Sequence, residues 1–496
     1  MNRPSTAWLR PAYLFLLGAF LLLGIGLPTQ ANPVFARKYQ TSCVTCHTVF
    51  PKLNPFGQAF RLNGYRMPKE TEELIKQKPV SLGSEAYKRV WPDAVWPNEL
   101  PGNAPVALNV KMTSLYSSSA GTDASGGPTK TIVHNDFQFP SEANLFAAGT
   151  LGEHMSFLSE LTFSENPDGS SSVEIEHARL GFESIIGPEH LVNLRIGKFA
   201  PNLYDGFQEM WIMTDNGIDA LFAYHPVGFN GGTGLDDGQG VVSLANRVRG
   251  LEFYGVAGHR FFYTFGVSTK IGPGGKNPDG TPNGNYNNNS HKDVYLRFDY
   301  KFGGMGLDGD TEGVKLPPEN WRENSFRIGV LGLSGNGTGI DNAVSDPNEA
   351  LVDPTTGGAT DAEGNPVVFH MQDTQYSRAG IFASWMWGDL NLFGVALRGT
   401  DKLQLRDSSN TIVMNETSRT FNAWFAQADY VIKPPVHVSA RYERLQVADP
   451  SVKALRFLNL NFSYLFAANV KAMLEYRRDL NETNNNQLAV VIRAAF

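Results

Sequence analysis

Cys43-Val44-Thr45-Cys46-His47 is the stretch of this sequence whose residue types stand at a spacing that chemistry demands. Its two cysteines are the only ones among 496 residues. Two thiols two residues apart, followed by an imidazole, suit three chemistries. A redox dithiol should open a helix after a core strand, and no such pattern surrounds Cys43. A zinc site needs a second Cys or Cys/His pair nearby, and none follows. The third chemistry is covalent attachment of a haem. The two thiols add across the vinyl groups of the ring, and the adjoining His47 lies under the iron as proximal ligand. The pentapeptide therefore reads as the site of one haem c.

The sixth ligand has fewer candidates. Between His47 and Ala104 there is no other histidine, and Met67 is the sole methionine. Met67 is the expected distal ligand, and a thioether opposite imidazole raises the reduction potential. In the alternative, Met67 only packs on the ring, and the ligand is supplied from the barrel or is absent. His437 is then the first substitute. His134, His154, His177, His190, His225, His259, His291 and His370 have no ligand-type spacing and read as ordinary residues. A short helix should link His47 to Met67. Asn54 suits its N-cap, Pro55 its first position and Gly64 its C-terminal stop. Leu53, Phe56 and Phe60 would then cover the ring and exclude water from it.

The segments around the motif fix its compartment. Arg3 and Arg10 precede an apolar run from Ala12 to Leu27, followed by the small residues of Thr29-Gln30-Ala31. This reads as a secretory leader, 1–31, with cleavage expected after Ala31 and Ala36 as the alternative. The run is short against the ~20 residues of a membrane-spanning helix. Removing Arg3 and Arg10 takes the net charge from −7 to −9, which argues against nucleic acid as a partner. Residues 32–104 form the haem domain and a connector. Prolines at 79, 92, 97, 101 and 105 limit that connector to short helical turns, over Glu72 to Gln77 and Ser84 to Val90.

From 105 to 496 the pattern becomes period-two alternation in segments of about ten residues. Val294, Leu296, Phe298 and Tyr300 share one face; Asp293, Tyr295, Arg297, Asp299 and Lys301 share the other. The same holds for 437–443, 470–477 and 488–496. Three features favour a membrane barrel over a soluble sandwich. The polar faces are heavily charged, the last apolar face ends on the aromatic Phe496, and the connections alternate short and long. Counting back from Phe496 on the periplasmic side, short turns fall near Ala467, Lys433, Gly388, Gly258, Gly187 and Gly152. Long Gly/Asn/Asp-rich connections lie at 272–290, 335–374 and 400–418. The connection 303–323 is long for the short side. The count is about sixteen strands, with fourteen to eighteen acceptable, because 201–247 could hide a hairpin around Ile218 to Tyr224. The fold class is thus mainly β: an antiparallel outer-membrane barrel with a short α-helical N-terminal haem domain.

The run Phe35-Ala36-Arg37-Lys38, Cys43 to His47, Pro51 to Gly57 and Gly64-Tyr65 resembles the outer-membrane cytochrome–porin fusions of iron-oxidising bacteria. The local likeness covers roughly 35 residues around the motif; the barrel matches only in architecture and length. The resemblance implies that Cys43, Cys46 and His47 hold the haem. It also implies that extracellular Fe(II), or another outside donor, gives electrons that pass inward to a periplasmic c-type cytochrome. The bacterial outer membrane is the expected location, with the haem domain on the periplasmic side or inside the lumen as a plug. In this reading inward carboxylates such as Asp293, Asp299, Glu443 and Glu475 guide cations, unless they are paired. A second reading is a porin for small solutes with a haem-bearing plug or redox gate. A third, a haem enzyme with an open iron site, is disfavoured by Met67.

Overall fold

The structure is a computed structural model describing residues 34–39, 41–50, 52–68, 105–122, 128–151, 153–165, 171–203, 247–269, 292–336, 341–342, 369–371, 375–407, 412–448, 450, 453–481 and 486–495. The leader, the connector 69–104, Gly152, Phe496, the loop 272–290 and the hairpin expected near Ile218 lie outside the described residues.

Three short helices come first: α1 (Val34–Lys38), α2 (Cys43–Cys46) and α3 (Pro55–Leu62). A small antiparallel pair, β1 (His47–Val49) and β2 (Lys52–Leu53), separates α2 from α3. The strands that follow are β3 (Val106–Thr122), β4 (Pro128–Leu151), β5 (Met155–Glu165), β6 (Ser171–Ile186), β7 (Val192–Phe199) and β8 (Val248–Ala257). Then come β9 (Phe261–Thr269), β10 (Asp293–Gly303), β11 (Glu323–Asn336), β12 (Asp341–Asn342), β13 (Phe369–Met371) and β14 (Gln375–Gly388). The last are β15 (Leu390–Asp407), β16 (Ile412–Lys433), β17 (Val436–Val447), β18 (Leu455–Ala467), β19 (Val470–Asp479) and β20 (Asn486–Ala495).

Every neighbouring pair is antiparallel, and β20 closes on β3. Because β11 pairs directly with β14, the short β12 and β13 are additions within one long connection, and the ring itself has sixteen strands. The short turns are where the sequence puts them, at 187–191, 258–260, Asp389, 434–435 and 468–469. Gly388 takes φ +58 beside the one-residue turn at Asp389, a conformation that costs glycine little.

The outer surface is apolar along its whole girth. On β10, Val294, Leu296, Phe298 and Tyr300 are exposed while Asp293, Tyr295, Arg297, Asp299 and Lys301 are buried. A soluble monomer rarely exposes more than a few hundred Å² of contiguous apolar surface. Here Ile328, Val330, Ile381, Leu460, Leu474 and Ile492 extend the belt from strand to strand. At the short-turn end it meets exposed aromatics: Phe261, Phe302, Phe326, Trp385, Trp387, Tyr430 and Phe466. This is the apolar band with an aromatic girdle of a barrel facing lipid.

The inner face is heavily charged, as the sequence reads, but not throughout. Leu331, Leu333, Phe382, Phe393, Val395, Leu397, Phe421, Phe425, Leu445 and Val447 also face inward, in one buried cluster. These inward side chains pack on one another, so apolar residues stand on both faces of β15 and β16.

Candidate functional site

Residues 34–68 form a plug whose polar groups bond to inward-facing wall residues near the short-turn end. Lys52 Nζ donates to Asp429 Oδ2 (2.6 Å) and Asn391 Oδ1 (2.8 Å), with both partners of the ion pair nearly inaccessible to solvent. Arg66 reaches Glu183 (3.3 Å) and the Met155 carbonyl (2.8 Å). The 304–322 connection forms a floor under the plug. Asn63 Nδ2 donates to the Asp308 carbonyl (2.8 Å) and Asn320 Nδ2 to the Thr45 carbonyl (3.1 Å). That role explains a connection too long for a simple turn.

Within the plug, α3 begins and ends as its sequence requires. The Asn54 side chain accepts from Gly57 N (2.8 Å), Pro55 stands at the first position, and Gly64 leaves the helix at φ +63. The same Asn54 ties α3 to the cysteine motif. Its Nδ2 donates to the Thr45 carbonyl (3.0 Å) and its backbone N–H to the Cys46 carbonyl (3.0 Å). A Cβ at Gly57 would collide with that Cys46 carbonyl, so the helix and the motif meet backbone to backbone.

Cys43, Cys46 and His47 line a cavity of about 400 Å³ between the plug and the inner wall, within the ~300–1,000 Å³ range of cofactor sites. Phe35, Tyr39, Phe60 and Tyr65 give it an aromatic side, with Phe35 stacked on Tyr65 at 4.5 Å and edge-on to Phe60 at 5.3 Å. Leu53 and Met67 also line it. Phe56, expected over the ring, does not line it; it packs with Ala59 and Met305 of the floor instead. Phe56 and Phe60 stand one turn apart on one face of α3, and the floor covers the first while the cavity takes the second.

The cavity is also charged. The wall carries Arg179, Arg195, Arg247 and Arg493 against Glu142, Glu160 and Glu176, and α3 adds Arg61, two more positive than negative groups in all. Arg247 pairs with Glu176 (2.8 Å) and Arg195 with Glu252 (2.7 Å). A pocket with two thiols and an imidazole on one side, aromatic cover, and an arginine excess matching the two propionates of a haem fits that group. A redox dithiol fits less well. Burial pushes both the Cys43 and Cys46 thiols up to about 12, whereas reactive dithiols have lowered values.

The remaining expected residues fall as follows. His437 is buried beside Lys52 and Lys471 and does not line the cavity, which corrects its place as substitute ligand. Asp293, Asp299, Glu443 and Glu475 do face inward, but they are buried and bonded. Asp299 bridges Arg297 (2.6 Å) and Arg327, and Asp293 accepts from Tyr376 Oη (2.6 Å). Asn459 donates to Glu443 (2.7 Å) and Asn461 to Glu475 (3.4 Å). They are structural pairs, not cation guides. His177, set aside as ordinary, does line the cavity. A signal for it stands in the sequence. The outward residues Val173 and Ile175 are odd-numbered, whereas Ala178 and Leu180 are even-numbered, so the alternation skips a beat at Glu176-His177.

Fold and site together define a sixteen-stranded, lipid-facing barrel with a plug that carries a cysteine–histidine motif into an internal cavity. No family model and no curated protein matches the chain. Among solved structures, it is similar to OmpT, an outer membrane protein of Vibrio cholerae (12% identity, 79% of this chain and 96% of that one, TM-score 0.44). It is similar to the outer membrane channel DcaP of Acinetobacter baumannii (12% identity, 79% and 96%, TM-score 0.44). It is also similar to an anion-selective porin from Comamonas acidovorans (12% identity, 79% and 99%, TM-score 0.43).

Proposed function

We propose that this chain is a porin-like barrel of the bacterial outer membrane that binds one haem c in its lumen and relays single electrons through it. The observation that carries the reading is the cavity shared by Cys43, Cys46 and His47 with the inner wall. Cys43 and Cys46 would hold the group through thioethers, and His47 would be its proximal ligand. Met67 is the plug's own candidate for the distal position. The bound haem supplies a one-electron couple of its iron. The aromatic residues would exclude water, and Arg179 of β6 and Arg493 of β20 would offset negative charge of the group. Fe(II) outside the cell is the donor that the cytochrome–porin resemblance implies, and a periplasmic c-type cytochrome the acceptor. The position of the plug supports that direction, because the short-turn end of such barrels faces the periplasm.

The test is production of the chain in a bacterium that matures c-type cytochromes, followed by haem staining after denaturation and stopped-flow mixing with Fe(II). Covalent haem, absent in Cys43→Ala, and reduced by Fe(II) within the mixing experiment, is the expected result. A protein without covalent haem sinks the reading. The second reading, a porin with a haem-bearing plug, is favoured by the ring itself, since sixteen strands enclose enough room for an aqueous channel. Haem that Fe(II) leaves oxidised, in a protein that conducts ions freely, would move the assignment there.

A further inference from the structure

We infer that His177 of β6, a residue of the barrel wall, is the sixth ligand of the iron. The inference rests on the haem reading above. It begins from the geometry of an axial site, which needs ligands on opposite faces of the ring. Cys43, Cys46 and His47 bound the cavity from the plug, so the opposite ligand must come from across it. Met67 lines the cavity from the plug itself, packed with Cys46 against Phe56, Ala59 and Met305. His177 lines it from the barrel wall and is buried.

The wall is built to present it. Between β5 and β6, Glu160 pairs with His177 but Leu161 pairs with Ile175, so Glu176 is an extra residue. This bulge lets Ile175 and Val173 keep facing lipid while Glu176 and His177, adjacent in sequence, both line the cavity. Bulges re-aim side chains and gather beside functional sites. Beyond the bulge β6 is held tightly. A Cβ at Gly197 of β7, where φ is +132, would strike the Ala178 carbonyl. Arg247 Nε donates to His177 Nε2 (3.4 Å), and Glu160 Oε2 lies 3.6 Å from the same nitrogen, so the imidazole is held between two charged wall residues. The iron would then join plug and barrel, and its two axial ligands would both be imidazoles.

The experiment compares the purified wild-type holoprotein with His177→Ala, His177→Met and Met67→Ala by absorption, EPR and near-infrared magnetic circular dichroism. Heat-modifiable migration on gels checks that each barrel folds. The wild type should show a low-spin, bis-imidazole signature. His177→Ala should become high-spin, and added imidazole should restore low spin. His177→Met should remain low-spin with a thioether signature and a raised potential. Met67→Ala should keep the wild-type signature. A wild-type thioether signature lost in Met67→Ala and kept in His177→Ala overturns the inference but leaves the haem reading intact. If His177→Ala does not fold, an imidazole–thioether spectrum of the wild type overturns the inference just as well. Absence of covalent haem overturns both.

Discussion

At the scale of single residues, the contacts that hold the plug are charged groups taken out of water. Lys52 and Asp429 are 3% and 2% exposed at their side chains, so neither can fall back on solvent. Removing one partner of such a pair strands the other, at a cost of about 3–5 kcal/mol, whereas removing both together can be near neutral. Lys52→Met should therefore raise hydrogen exchange across 41–63 by two orders of magnitude or more, and Lys52→Met with Asp429→Leu should recover most of the protection. Unchanged exchange in the single variant would show that this pair does not anchor the plug. Much at this scale was legible in the sequence because it is local. Asn54, Pro55 and Gly64 act through the backbone within a turn or two of themselves, so their types declare their roles. Lys52 gave no such sign, since its partner stands 377 positions away. Phe56 and Phe60 look alike in sequence, and only the packing of α3 on Met305 separates them.

At the scale of elements, the informative piece is the connection between β10 and β11. Its length looked anomalous for a short-turn end, and the sequence offered no reason, because the reason is tertiary. It is clamped to the neighbouring turn by Arg322, whose Nε and Nη2 donate to the two Asp389 oxygens at 2.7 and 2.9 Å. It is tied to the β8–β9 turn by His259, whose Nδ1 lies 2.7 Å from Asp308 Oδ2. The Asp308 hydrogen bond raises the His259 pKa above its ordinary 6.5. A raised value in the folded chain means the stabilisation is complete below 6.5 and fades as pH climbs through the raised value. His259 is 57% exposed, so the pair is worth only ~0.2–1 kcal/mol. Proteolysis or hydrogen exchange in 304–322, corrected for intrinsic rates, should increase a few-fold at most between mildly acidic and mildly alkaline pH. Asp308→Asn should flatten that dependence. A dependence that survives Asp308→Asn would assign it to another group.

At the scale of the whole molecule, the ring was legible and its contents were not. Strand direction, short-turn positions and strand number follow from a period of two and from the alternation of connection lengths, which survive in any one sequence. The filling of the lumen does not, because β15 and β16 carry apolar residues on both faces. Leu392 and Ala396 meet lipid while Phe393, Val395 and Leu397 face inward, and no alternation marks the difference. What fills the lumen decides between the two functional readings. A sixteen-stranded ring with a clear lumen conducts ions. Here the short-turn end holds the plug, bonded to the wall through Lys52 and Arg66 and to the 304–322 floor through Asn63 and the Thr45 carbonyl. Single channels of the intact protein in planar bilayers should therefore conduct several-fold less than those of a variant lacking 34–68. The wild-type current should also be insensitive to whether Fe(II) or an oxidant is present, because pinning through buried ion pairs does not depend on the redox state of a bound group. A wild-type current equal to that of the plug-free variant would mean that solutes pass the plug, and a current switched by Fe(II) would make it a gate; either result would displace the electron relay as the purpose of the assembly.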